Sequence, residues 1–157
     1  MKARLYLETT IVSYLVARPS RDVVLAAHQA MTYDWWQKRL KDFDVFISEV
    51  VLNESGAGDA TFASKRLEWL APFPVLRATA DVQALTNALL KSGVVPQKAA
   101  GDAAHIAHAA VHGMHFLMTW NCRHIANAEI LRQVEKVCQT HGHKCPVVCT
   151  PHELMGT

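Results

Sequence analysis

The chain has 157 residues, half of them hydrophobic and 19% charged, with a formal charge of +2. That length and balance suit one domain over residues 1–157 with a substantial core, and exclude a disordered or low-complexity chain. The charge permits a nucleic-acid partner without demanding one, no apolar run reaches the length of a membrane span, and no secretory signal opens the chain, so a cytoplasmic protein with no membrane partner and reduced cysteines is expected.

In chain order, Ala3–Leu7 (ARLYL) reads as a buried strand that begins almost at once, and IVSYLVA as a short helix interrupted by Pro19 and Ser20. A long helix is predicted over Arg21–Leu40 from an apolar stripe at Val23, Val24, Ala27, Ala30, Met31, Trp35 and Leu40. Asp44–Ser48 is a second strand. A helix from Glu49 to Ala57 follows, broken by Gly56 and Gly58, then another over Thr61–Leu70 bounded by Pro72 and Pro74. Val75 and Leu76 suggest a short strand, and Asp81–Lys91 a helix capped by Thr79 and ended by Ser92 and Gly93. Pro96 suits the first turn of a helix running to Val111, with Gly113 as its stop. His115–Thr119 is a strand, Asn127–Thr140 a helix, Pro146–Cys149 a last strand, and Pro151 begins a final turn. Strands alternating with helices predict a three-layer α/β/α fold around a mostly parallel sheet, in which ligands bind beyond the carboxyl ends of the strands.

Three carboxylates stand where apolar runs end. Glu8 closes ARLYLE, Glu54 follows the run VFISEVVL, and Asp102 opens the alanine-rich DAAHIAHAA; Asn121 follows the strand HFLMT in the same way. Acids near a core need a partner, and acids gathered at a sheet edge without bases invite a divalent cation. Glu49 has a simpler role in the first turn of its helix, where a carboxylate favours the dipole.

Two histidine-rich regions compete for a metal. His105, His108 and His112 are spaced three and four apart on one helix face, but without an HExxH acid they are expected to form a partly exposed face, with His105 beside Asp102. Cys138, His141, His143, Cys145 and Cys149 have Cys–Cys spacings of seven and four, which form no zinc knuckle; buried thiols are expected. Trp35 and Trp36 are candidates for core or dimer surface, and no tryptophan belongs to a ladder for stacking bases. The absence of GxSxG, P-loop and GxGxxG patterns argues against acyl transfer and nucleotide cofactors.

Taken together, LYLETTIVSYL, FISEVVLNE, GDAAHIAHAAVHGMHFLMTWNCRHI and CTPHEL resemble, in order and over most of the chain, the four segments of PIN-domain proteins. The resemblance implies a PIN-like α/β/α fold with an acidic pocket and Mg²⁺- or Mn²⁺-dependent ribonuclease activity. It also implies the toxin of a type II toxin–antitoxin pair of the VapC kind, with RNA as substrate and a small antitoxin protein as partner. By position it assigns metal-binding and catalytic roles to Glu8, Glu54, Asp102 and Asn121, with Thr9 and Thr119 in support. The first acid of the family is usually Asp and is Glu here, the fourth is often Asp and is Asn here, and His124 stands where a further acid is common. Arg18, Arg21, Lys98 and Arg123 are candidates to meet the RNA backbone, and a homodimer is expected through the apolar face of Arg21–Leu40 with Trp35 and Trp36. The alternatives are a PIN-fold module that binds RNA or protein without cutting, and a zinc-stabilised interaction domain built on the C-terminal Cys/His segment.

Overall fold

The computed structural model describes residues 1–157. Strand β1 (Ala3–Leu7) forms where predicted, with Leu5, Tyr6 and Leu7 all buried, as befits a central parallel strand covered on both faces. Glu8 caps helix α1 (Thr9–Val16). Helix α2 (Val23–Lys38) starts later than predicted because Asp22 takes the cap position and accepts the Leu25 N–H. Then come β2 (Phe43–Ser48), α3 (Glu49–Ser55), α4 (Ala60–Leu70), β3 (Val75–Leu76) and α5 (Ala80–Lys91), the last capped by the Thr79 hydroxyl as predicted.

The stretch after Pro96 differs from the single helix predicted through Val111. Gln97–Ala99 is a tight 3-10 turn, and α6 (Ala100–Val111) begins only after Ala99, whose φ of −109° and ψ of 39° break the helical path. Gly113 closes α6 at a φ of +66°, a conformation that favours glycine. Strand β4 (Phe116–Met118), helix α7 (Ala128–Thr140), strand β5 (Val147–Cys149) and a terminal 3-10 turn complete the chain.

The five strands lie in the order β3-β2-β1-β4-β5, and every pairing is parallel. Helices cover both faces, because each parallel connection must cross over the sheet. The chain first builds outward from β1 through β2 to β3, then crosses back to lay β4 on the other side of β1. The direction of winding therefore switches between β1 and β4, and in sheets of this kind ligands bind beyond the carboxyl ends of the strands at that point. Glu8 leaves one of these strands and Thr119 the other. At the same edge α3 packs on α6, and α1 packs on α2, α3 and α4.

A cluster of 28 buried residues forms the core. Trp35 is part of it, fully buried with its ring 5.7 Å from that of Phe43. Trp36 packs edge-on against Trp69 and Phe73. Of the two roles open to the tryptophans, Trp35 takes the core one, while Trp36 remains half-buried. The exposed apolar residues of α2 are Val23, Val24 and Tyr33.

Candidate functional site

Glu8 occupies the N-cap of α1, a position dominated by shorter polar residues, and is only 3% exposed. Its backbone N–H is bonded to the Met118 carbonyl at 3.1 Å, which fixes it across the β1–β4 seam. Three donors converge on Oε1: the Thr10 N–H at 3.0 Å, the Thr10 hydroxyl, and the Thr119 hydroxyl at 2.8 Å. Each hydroxyl also accepts a backbone N–H from the loop after β4, Thr10 from Trp120 and Thr119 from Asn121. Oε2 has only a 3.2 Å share of the Thr10 N–H.

Glu54, on α3, reaches the same corner. Its Oε1 accepts the Thr9 hydroxyl at 2.8 Å and meets Nε2 of His105. Burial raises its pKa, but the hydrogen bond and charge of His105, with the Thr9 hydroxyl, more than offset this and leave the carboxyl below its ordinary value. A Cβ on Gly101 would stand 3.5 Å from Glu54 Oε2, so the first turn of α6 lies against that oxygen. Asp102, next along, is half-buried in this turn. Neither Glu8 nor Asp102 belongs to an ion pair; the ion pairs present are Lys38–Asp34 and Arg39–Asp42, and His105–Glu54 is one only when the histidine is protonated.

Asn121 has a different setting. Its Oδ1 accepts the N–H groups of Arg123 and His124 at 3.2 and 3.0 Å, and its carbonyl accepts the Ala126 N–H at 2.8 Å. The side chain organises the Trp120–Ala126 loop in the manner of an Asx turn, and its amide oxygen is committed to that turn. His124 is half-buried in the same loop.

Two of the three histidines expected on a partly exposed face are buried, His105 and His108 at 0% and 1% exposed, while His112 at the end of α6 is half-buried. The small alanines around the first two let neighbouring elements close over them. His105 instead joins a buried chain of polar groups. Tyr6, on β1, places its hydroxyl 2.7 Å from Ser48 Oγ and 2.7 Å from His105 Nδ1, and His105 Nε2 meets Glu54. A second arrangement absent from the sequence reading surrounds Trp120. His28 stacks on its ring at 4.0 Å and Tyr14 at 6.1 Å, nearly parallel, and its Nε1–H donates to the Thr32 hydroxyl. An aromatic stack is thus present, assembled from three segments distant in sequence.

No three His, Cys, Asp or Glu side chains are close enough to close a metal-ligand cluster. A structural zinc, which needs such a closed set, has none, and the segment from Cys138 to Cys149 serves packing: Cys138 and Cys149 are buried. Glu8, Glu54 and Asp102 do not form such a cluster either. Mg²⁺, however, retains several waters and is commonly held through one or two carboxylates plus substrate phosphates. Glu8, a buried carboxylate with no cationic partner and one poorly served oxygen, suits such a hydrated hard cation in its donor chemistry.

No protein-family model matches the chain, and no curated protein matches it. Among solved structures it is similar to a chain of the crystal structure of VapBC2 from Rickettsia felis bound to a DNA fragment from their promoter. The TM-score is 0.61 at 15% identity, over 94% of this chain and 98% of that one. The two share the α/β/α, PIN-like fold.

Proposed function

We propose that this chain is a divalent-metal-dependent ribonuclease that hydrolyses RNA phosphodiester bonds at the Glu8–Glu54–Asp102 edge. The observation that carries this reading is Glu8: a carboxylate 3% exposed, at the carboxyl end of β1 where the winding of a parallel sheet reverses, with no cation paired to it. Glu8, Glu54 and Asp102 would hold Mg²⁺ or Mn²⁺. When bound, such an ion supplies an activated water and offsets charge on the scissile phosphate. The protein's own contribution is orientation. Thr10 and Thr119 hold Glu8, Thr9 and His105 hold Glu54, and Asn121 shapes the loop that carries Thr119 into the site. Arg18, Arg21, Lys98 and Arg123 are exposed and would supply the positive charge that meets backbone phosphates. The test is cleavage of single-stranded RNA with Mn²⁺ by the wild type and by Asp102→Asn. Cleavage by the first and not the second is expected; equal cleavage by both sinks the assignment.

The fold shared with a chain of the VapBC2 structure is consistent with a toxin of a toxin–antitoxin pair that has a small antitoxin protein as partner; a homodimer is proposed as its assembly. Growth arrest on expression in a bacterial host, abolished by Asp102→Asn, is the expected outcome.

One observation favours a second reading, a PIN-fold module that binds RNA or protein without cutting. Asn121 stands where the family often has an acid, and its amide oxygen is occupied within its own loop. Calorimetric titration with Mn²⁺ separates the two readings, since carboxylate-dependent binding belongs to the nuclease and its absence to the module.

A further inference from the structure

Glu54 differs from the other two acids because a fully buried histidine reaches it from behind. His105 is 0% exposed and belongs to α6, Tyr6 is 0% exposed and belongs to β1, and Ser48 is 0% exposed at the end of β2. Their polar atoms form one chain, Ser48 Oγ to Tyr6 hydroxyl to His105 Nδ1, then His105 Nε2 to Glu54 Oε1, with the first two contacts each 2.7 Å. The two rings meet edge to face at 5.8 Å, so neither turns without displacing the other.

The direction of the chain follows from donor and acceptor inventories. An ionised carboxylate only accepts, so the proton between His105 and Glu54 is on Nε2. In the neutral ring Nδ1 is then bare, and the Tyr6 hydroxyl, the neighbour able to donate, fills it. Having spent its one proton, the Tyr6 oxygen accepts from the Ser48 hydroxyl. Every group is satisfied in one orientation, and the last bond in the row ends on Glu54 Oε1. Thr9 bonds the same oxygen from the other side at 2.8 Å. Oε2, the oxygen left over, is the one that lies against the first turn of α6 beside Asp102.

We propose that Tyr6 and His105 are positioning residues, a one-way hydrogen-bond chain that pins one oxygen of Glu54 and reserves the other for a divalent cation. This rests on the metal-site reading above. Neither residue touches substrate. Their effect passes through the orientation of a single carboxylate, as groups bonded to metal ligands act elsewhere.

The two ideas separate experimentally. Nitrogen-15 correlation spectra of the full chain without metal read the state of the ring. A slowly exchanging proton on His105 Nε2 is expected, lost in Glu54→Ala and exchanging faster in Tyr6→Phe. A proton residing on Nδ1, alone or together with one on Nε2, or an Nε2 proton indifferent to both substitutions, overturns the chain. Calorimetric Mn²⁺ binding then reads the consequence. His105→Leu is expected to weaken binding by about 10- to 100-fold, and His105→Gln, which restores an N–H donor, to recover most of it. In RNA cleavage kcat falls in His105→Leu while KM holds. Where His105→Leu does not fold, Tyr6→Phe carries the comparison, since it keeps the ring and loses only the hydroxyl. Unaltered Mn²⁺ affinity in the folded variants overturns the positioning role. Wild-type protein that binds no Mn²⁺ overturns the reserved-oxygen claim together with the metal-site reading, while the ring spectra still decide the chain itself.

Discussion

The Thr119 hydroxyl donates to Glu8 Oε1 at 2.8 Å and in turn accepts the Asn121 N–H at 2.9 Å. Two residues 111 positions apart are thus joined across the seam where β1 and β4 lie side by side. Thr119→Val keeps the shape and removes the bond. With a buried carboxylate left short of a donor, the expected cost is about 1–3 kcal/mol of stability, measured by urea unfolding. Thr119→Ser, which restores the hydroxyl, is expected to recover most of it.

His108 supplies a pH dependence. Burial, then the neighbouring His112 and His105, push its pKa from 6.5 down to about 4. Its Nδ1 has no partner. The unfolded chain therefore binds the proton more readily than the folded one, so the contribution of His108 is fully present above pH 6.5 and is lost as pH falls toward 4. The size is on the order of 3 kcal/mol. His108→Leu is expected to flatten stability against pH across that window without loss at neutral pH, since it removes an unpaired polar atom. Denaturation midpoints taken at a series of pH values check this.

The positions of these elements were largely legible in the sequence; what fills the space around the site was not. ARLYL announces a buried strand because a central parallel strand is apolar on both faces, and Glu8, Thr9 and Thr10 follow from its end. The spacing of His105, His108 and His112 shows that they share a face of α6, but spacing does not say which face is buried. That was decided by alanines, whose small size lets neighbouring elements close over the histidines. Tyr6 lies 99 residues from His105, and nothing local marks the pair. The tryptophans stay open between core and surface for a related reason: the rings that meet them, Phe43 at Trp35 and Trp69 and Phe73 at half-buried Trp36, arrive from elsewhere in the chain. Asn121 reads as a ligand by its place after β4; that its oxygen is taken by the next turn is visible only in three dimensions.

Asn121→Asp probes that loop. A carboxylate accepts the same two N–H groups as the amide, so the turn is expected to persist with stability within about 1 kcal/mol of the wild type. The added charge is expected to strengthen Mn²⁺ binding. Asn121→Ala loses the turn bonds and is expected to be less stable than either. Thermal unfolding and calorimetry on the three proteins make the comparison.

Gly101→Ala places a methyl 3.5 Å from Glu54 Oε2, ordinary contact that requires no movement. Alanine is the better helix former by up to about 1 kcal/mol, so the fold is expected to be unharmed or slightly more stable. The methyl nonetheless narrows the space beside the Glu54 oxygen that would face the cation. Reduced Mn²⁺ affinity without reduced stability is the expected signature.

The central claim is that Glu8, Glu54 and Asp102 form one cation site. Crystals soaked in Mn²⁺, measured at the manganese absorption edge, test it most directly. The account expects an anomalous peak contacted by these three carboxylates, directly or through water, and its loss in Asp102→Asn. A peak bound elsewhere, or a soaked crystal with no peak at this edge of the sheet, would contradict it.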